Sequence, residues 1–147
     1  MLDIVNYKAE TAALLPIKPK FVEKILSGEK TVEFRKIVFK QNIERIIIYS
    51  SSPVKRVVAI CDVKTINRER PLTLWKKYRH VGGIEYSEYA DYYRNKEYGV
   101  AIELTNVRVL DKPLELSDLV DIKVAPQSFM YVDTFTISEI EKNEGVK

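Results

Sequence analysis

Residues 31–36, Thr-Val-Glu-Phe-Arg-Lys, alternate strictly between polar and apolar side chains. A β-strand is therefore predicted, with Val32 and Phe34 on one face and Thr31, Glu33 and Arg35 on the other. Just before it, Phe21, Val22, Ile25 and Leu26 form one apolar face that begins after Pro19 and stops at Gly28. Proline suits a first helical turn and glycine a helix end, so a helix, a glycine turn and a strand follow in order. Leu14-Leu15-Pro16-Ile17 reads as a short strand whose proline places it at an edge or strand end. Arg45 to Tyr49 is a β-branched run expected to be buried on both faces, and Ser50-Ser51-Ser52-Pro53 separates it from a strand at 57–63. Residues 71–78 and 84–93 read as two helices on either side of Gly82-Gly83, with Tyr86, Tyr89 and Tyr93 at helical spacing and expected to be packed. Val100, Ile102 and Leu104 alternate and then shift phase to Val107 and Val109, which predicts one long strand with a bulge near Thr105-Asn106. Strands mixed with about three helices, without regular βα alternation, define an α+β domain built on a small curved sheet or β-barrel.

Composition narrows the function classes. The 147 residues carry 24 Lys+Arg and 21 Asp+Glu, with 46% apolar letters and no apolar run near the roughly 20 residues that span a bilayer. No membrane segment and no secretory signal are expected, which makes the cytoplasm the expected compartment. With a single Cys61 and a single His80, an intramolecular disulfide is impossible and a zinc site of four N/S ligands cannot be assembled in one chain. No metal site and no cofactor are expected. Cys61, inside Val57-Val58-Ala59-Ile60-Cys61-Asp62-Val63, reads as a small core hydrophobe. The net charge of +3 is unevenly spread: residues 1–60 hold 11 Lys/Arg against 6 Asp/Glu, residues 111–147 hold 4 against 8. The basic first half fits a polyanion partner, and the acidic end reads as a solvated tail. Six of the nine tyrosines lie between Tyr78 and Tyr98, either as a base-stacking face or, as favoured here, as packing rings. Trp75 is expected to be a core anchor.

Chemistry concentrates in three segments. Glu33 and Arg35 share a strand face about 7 Å apart, with Lys30 in the approach. Arg matches phosphate with a planar fork, Lys is a mobile charge, and a carboxylate accepts from an exocyclic amine such as cytosine N4. Lys18 and Lys20 flank Pro19 at a helix start, where free N–H groups favour an anion. Ser50, Ser51 and Ser52 offer hydroxyls at a strand end, and Gln127 with Ser128 carries the donors and acceptors that a base edge needs. The plainer alternative for Glu33 and Arg35 is a surface ion pair. No G-x-S-x-G or phosphate-loop motif is present.

The run from Ile17 to Lys36 resembles the start of an ASCH domain, whose hallmark G-x-K-x-x-E-x-R is met here by Gly28, Lys30, Glu33 and Arg35. The resemblance continues through Tyr49-Ser50-Ser51-Ser52-Pro53 and ends at Pro126-Gln127-Ser128-Phe129. It spans residues 14–135, leaving an N-terminal arm (1–13) and the acidic tail (136–147) outside. It implies a PUA-like fold with a cleft between helix and barrel, and a role in RNA metabolism with RNA or a nucleotide as partner. Lys18, Lys20, Lys30, Glu33, Arg35, Ser50, Ser51, Ser52, Gln127 and Ser128 would form the binding site. It also implies two alternatives. One is a small amidohydrolase of acylated cytidine-type nucleosides, in which Lys30 or Glu33 would be catalytic; that subgroup carries Thr where this chain has Glu33. The other is a metal-assisted ribonuclease using acidic residues such as Glu33.

Overall fold

The computed structural model describes residues 11–120 and 124–144. Six strands form one open sheet in the order β2-β5-β4-β3-β1-β6. They are β1 (Thr11–Ile17), β2 (Val32–Arg35), β3 (Arg45–Ser50), β4 (Arg56–Glu69), β5 (Gly99–Leu114) and β6 (Met130–Asp133). Only β1 and β3 run parallel; the other neighbours are antiparallel. The fold is α+β as predicted, but the sheet does not close into a barrel: β2 and β6 are its two edges. Among the described residues, four α-helices and a short 3-10 turn at Leu116–Asp118 accompany it, where about three helices were expected. None of the described helices is long and apolar enough to cross a membrane.

Alternation along the central strands divides the core between two faces. Ala13, Leu15 and Ile17 of β1 and Ile46 and Ile48 of β3 join Val22 and Ile25 of helix α1 (Pro19–Ser27) on one face. Ala12, Leu14, Ile47 and Tyr49 pack on the other face with Ile137 and Ile140 of α4 (Thr134–Glu144). The stretch read as a solvated acidic tail is thus helical as far as residue 144 and packs on the sheet through Ile137 and Ile140, while Ser138, Glu141 and Lys142 stay exposed. Its two isoleucines lie one turn apart and are both almost fully buried, a spacing that acidic composition concealed.

β4 also exceeds expectation. It continues past Val63 to Glu69 although Lys64, Thr65, Asn67 and Arg68 are polar, because each residue from Thr65 to Glu69 is paired with β5. The predicted bulge is present: Asp62 faces Thr105 while Ile60 faces Arg108, leaving one extra residue on β5 where Asn106 adopts φ 52°. That extra residue turns Val107 back toward the face already served by Val100, Ile102 and Leu104.

At the β2 end a third cluster joins Val32, Phe34 and Ala101 to Leu74 and Tyr78 of α2 (Pro71–Tyr78), to Tyr89 of α3 (Tyr86–Tyr92) and to Tyr93 just after it. Tyr89 lies 4.9 Å from the rings of Phe34, Trp75 and Tyr93. The packed reading holds for Tyr89 and Tyr93, whereas Tyr86 is 52% exposed and touches Trp75 at the rim. Cys61 is buried in the core, and burial pushes its thiol up to about 12.

Burial also pushes the Tyr78 phenol up to about 12 and raises Tyr89 and Tyr93. An unfolded tyrosine ionises near pH 10, so above that pH the native state holds more protons than the unfolded chain. Stability should be unaffected by these groups below about pH 10 and should fall as pH climbs from there through about 12. Tyr93→Phe should flatten that fall in urea-unfolding midpoints taken across the alkaline range, and an unchanged slope would contradict the assignment.

Candidate functional site

α1 begins at Pro19 and ends at Gly28, which adopts φ 88° as a left-handed cap donating its N–H to the Ile25 carbonyl. This reversal delivers Lys30 to the start of β2. β2 then sets Glu33 opposite Ile102 and Arg35 opposite Val100, so both point to the α1 side while Val32 and Phe34 are buried beneath α2 and α3. The pattern at residues 31–36 is read out as expected.

Lys30, Glu33 and Arg35 form an ionic ladder, buried at Lys30 and Glu33 and partly buried at Arg35. The Lys30 Nζ lies 3.5 Å from Glu33 Oε1, and the Arg35 Nη1 donates to Glu33 Oε2 at 3.1 Å. Only 3% of Lys30 and 6% of Glu33 is exposed, so this is no surface bridge. Lys30 also donates to the Gly82 carbonyl at 2.6 Å. A Cβ on Gly83, which adopts φ +63°, would stand 2.9 Å from the Lys30 Cβ; the Gly82-Gly83 turn is the seat of the lysine. Burial pushes the Lys30 ammonium below the usual lysine range, and Glu33 beside it partly restores it. Arg35 reaches further: its Nη1 donates to the Pro16 carbonyl at 3.3 Å and its Nη2 donates to the Ser128 carbonyl. One guanidinium therefore ties β2 to the end of β1 and to the segment before β6.

The ladder opens into a cavity of about 600 Å³. Lys18, Lys30, Glu33, Arg35, Ser51, Ser52 and Gln127 from the sequence-predicted set line it. Three predicted residues do not. Lys20 points to Glu88, with its Nζ 2.8 Å from Oε1; Ser50 is buried in β3; Ser128 enters only through the carbonyl that Arg35 holds. In the serine turn, the Ser51 N–H is already donated to the Ile17 carbonyl at 2.9 Å, so at that residue the hydroxyl is the donor on offer.

Sequence reasoning missed Phe21, Tyr49, Lys55, Ile84, Glu88 and Tyr92, all of which line the cavity. Ile84, Glu88 and Tyr92 recur every four residues, a stripe beside the one occupied by the packed tyrosines. That i, i+4, i+8 spacing was the available signal. The walls are thus partly aromatic, and the Lys30 ammonium stands 5.2 Å and 5.4 Å from the Phe21 and Phe34 rings. Among the described residues no group of three or more His, Cys, Asp or Glu is placed to hold a metal ion.

The open α+β sheet and the Lys-Glu-Arg ladder beside a small cavity together define the architecture. The chain belongs to the ASCH family: residues 10–127 match the family described as a domain of unknown function, DUF365. A relative from Zymomonas mobilis, an ASCH domain-containing ribonuclease, is 32% identical over 136 residues, covering 90% of this chain and 89% of that protein. The crystal structure of ASCH from Zymomonas mobilis is similar with a TM-score of 0.81 at 28% identity, over 90% of this chain and 95% of that one. The N-terminal domain of Staphylothermus marinus McrB, at 12% identity and a TM-score of 0.56 over 97% of this chain and 98% of that one, shares the fold alone.

Proposed function

We propose that this protein binds single-stranded RNA by drawing one nucleotide into the cavity above the Lys30–Glu33–Arg35 ladder. The observation that carries this reading is the ladder itself: three charged side chains in a row, Lys30 and Glu33 buried and Arg35 partly so, opening onto a cavity with aromatic walls. A volume of about 600 Å³ lies within the roughly 300–1,000 Å³ typical of small-ligand pockets and is too small for a duplex. Phe21 and Tyr92 offer faces for a base, a contact worth about 1–3 kcal/mol. Glu33 and Gln127 meet the base edge, with the carboxylate accepting from an exocyclic amine. Lys18, Lys55, Ser51 and Ser52 surround the place left for phosphate. The ribonuclease name of the Zymomonas mobilis relative supports RNA as the ligand class.

The lowered proton affinity of Lys30 beside Glu33 favours one second reading, a small amidohydrolase of an acylated cytidine-type nucleoside. A buried amine that releases its proton readily is suited to activate water.

A salt titration of single-stranded RNA binding separates the two. Each phosphate neutralised should contribute about 0.7 log units of affinity per log unit of salt. Lys55→Ala, at the cavity, should lower both affinity and slope, whereas Lys112→Ala, the same charge change on the exposed end of β5, should leave both near wild type. Equal effects of the two, or a flat response, would remove the RNA reading. Deacylation of an acylated cytidine that disappears with Lys30→Met would put the hydrolase in its place. Cleavage products followed in the same tubes read whether bound RNA is turned over.

A further inference from the structure

Glu88 is out of keeping with a pocket that captures an anion. Its carboxylate lines the cavity, one turn of α3 before Tyr92. It lies 2.8 Å from the Lys20 Nζ and 3.9 Å from the Lys18 Nζ. The three side chains are 35%, 58% and 68% exposed respectively, and ion pairs that exposed contribute little to folding. A pair with little structural value at a ligand mouth has another consequence: it sets how much negative charge the mouth accepts. With Glu88 in place, the two lysines at the start of α1 present one net positive charge instead of two.

We infer that Glu88 determines the charge specificity of the pocket, admitting a phosphodiester of an internal nucleotide and disfavouring the terminal phosphate of a mononucleotide. The inference rests on the nucleotide-binding reading above. A phosphodiester carries one negative charge, whereas a phosphate monoester carries about −1.5 to −2 at pH 7. Lys55 contributes its charge whether or not Glu88 is present; Glu88 takes one positive charge from the mouth, and the second charge of a monoester, which a phosphodiester lacks, meets its carboxylate. Charges at an interface rim act in this way chiefly on selectivity and salt dependence. RNA strands would then be taken in preference to the pool of free mononucleotides without a base-specific contact.

The test uses the full-length protein and three probes for each of the four bases: a ribonucleoside, its 5′-monophosphate, and the methyl ester of that monophosphate, which differs from it by one charge. Glu88→Gln keeps size and hydrogen-bonding capacity. It should raise affinity for the monophosphate by about threefold to tenfold relative to the methyl ester, leave the nucleoside unchanged, and steepen the salt dependence of monophosphate binding. In a Lys18→Gln/Lys20→Gln background the same substitution should change nothing, which separates release of those lysines from a general gain of positive charge. An equal effect of Glu88→Gln on all three probes, no effect on any, or a gain that persists without the two lysines would overturn the inference. A wild-type protein that binds single-stranded RNA in any of these outcomes leaves the function standing while the charge filter falls. Failure of both proteins to bind every probe and the RNA would overturn both.

Discussion

Glu33→Ala should destabilise the protein by about 3–5 kcal/mol, the usual consequence of removing one member of a buried ionic group and leaving the others without compensation. Glu33 is the middle of the ladder, with Lys30 on one carboxylate oxygen and Arg35 on the other. Its loss strands two cations. Lys30→Met should cost less, about 1–3 kcal/mol, because Glu33 keeps Arg35 and the chief loss is the donor to the Gly82 carbonyl. The two variants also differ in pH dependence. Lys30 in the folded protein already binds its proton less tightly than a free lysine, and Glu33 opposes that shift; without Glu33 the shift deepens. Between the folded value and 10.5 the unfolded chain then holds more protons than the native state, so stability rises with pH. The deficit of Glu33→Ala against wild type should therefore shrink as pH is raised toward 10.5, while that of Lys30→Met should not. Urea midpoints at constant slope measure both, and a Lys30→Met loss equal to or larger than that of Glu33→Ala would contradict the ladder.

Arg35→Lys should weaken RNA binding by about tenfold with the salt slope unchanged. The charge is retained, so the number of neutralised phosphates is not altered. What is lost is the planar fork that simultaneously reaches Glu33, the Pro16 carbonyl and the Ser128 carbonyl. A single ammonium cannot span those three directions. The segment holding Pro126 and Gln127 would lose its tie to β2, and with it the base-edge wall of the cavity. This is the opposite signature to Lys55→Ala, which should reduce the slope. An Arg35→Lys variant that binds like wild type, or that loses slope along with affinity, would show that Arg35 acts as a charge and not as a brace.

The parts of the fold that sequence made legible are those where local rules agree with the final packing. Proline, an apolar face and glycine bounded α1; strict alternation fixed which way Glu33 and Arg35 face; a change of phase located the β5 bulge at Asn106. The parts that were hidden depend on partners distant in the chain. The second half of β4 is polar and is held as a strand by β5, whose paired residues come 30 to 38 positions later. Ile137 and Ile140 were masked by acidic neighbours, and only the sheet face they cover explains them. Curved sheet and barrel stayed open alternatives, since nothing in the strand pattern records whether β2 and β6 meet. The site divides along the same line. Lys30, Glu33 and Arg35 sit close in sequence and were found together; Glu88 and Tyr92 come from a helix some 50 residues on, and only the packing of α3 brings them to the same cavity. Lys20 was expected at the site as a cation at the helix start and Ser50 as a hydroxyl of the turn; two residues along the helix from Lys18 and one along the strand from Ser51 turn them away from the cavity.

Amide resonances of isotope-labelled protein, followed while a short single-stranded RNA is titrated in at low salt, decide whether RNA enters this cavity. The largest shifts should fall on Lys30, Glu33, Arg35, Ser51, Ser52, Lys55, Glu88, Tyr92 and Gln127, four separate stretches of sequence that only the fold joins. Shifts confined to other surfaces, such as α4 or the exposed end of β5, or no shifts at RNA concentrations that saturate binding, would contradict the assignment of the pocket to RNA.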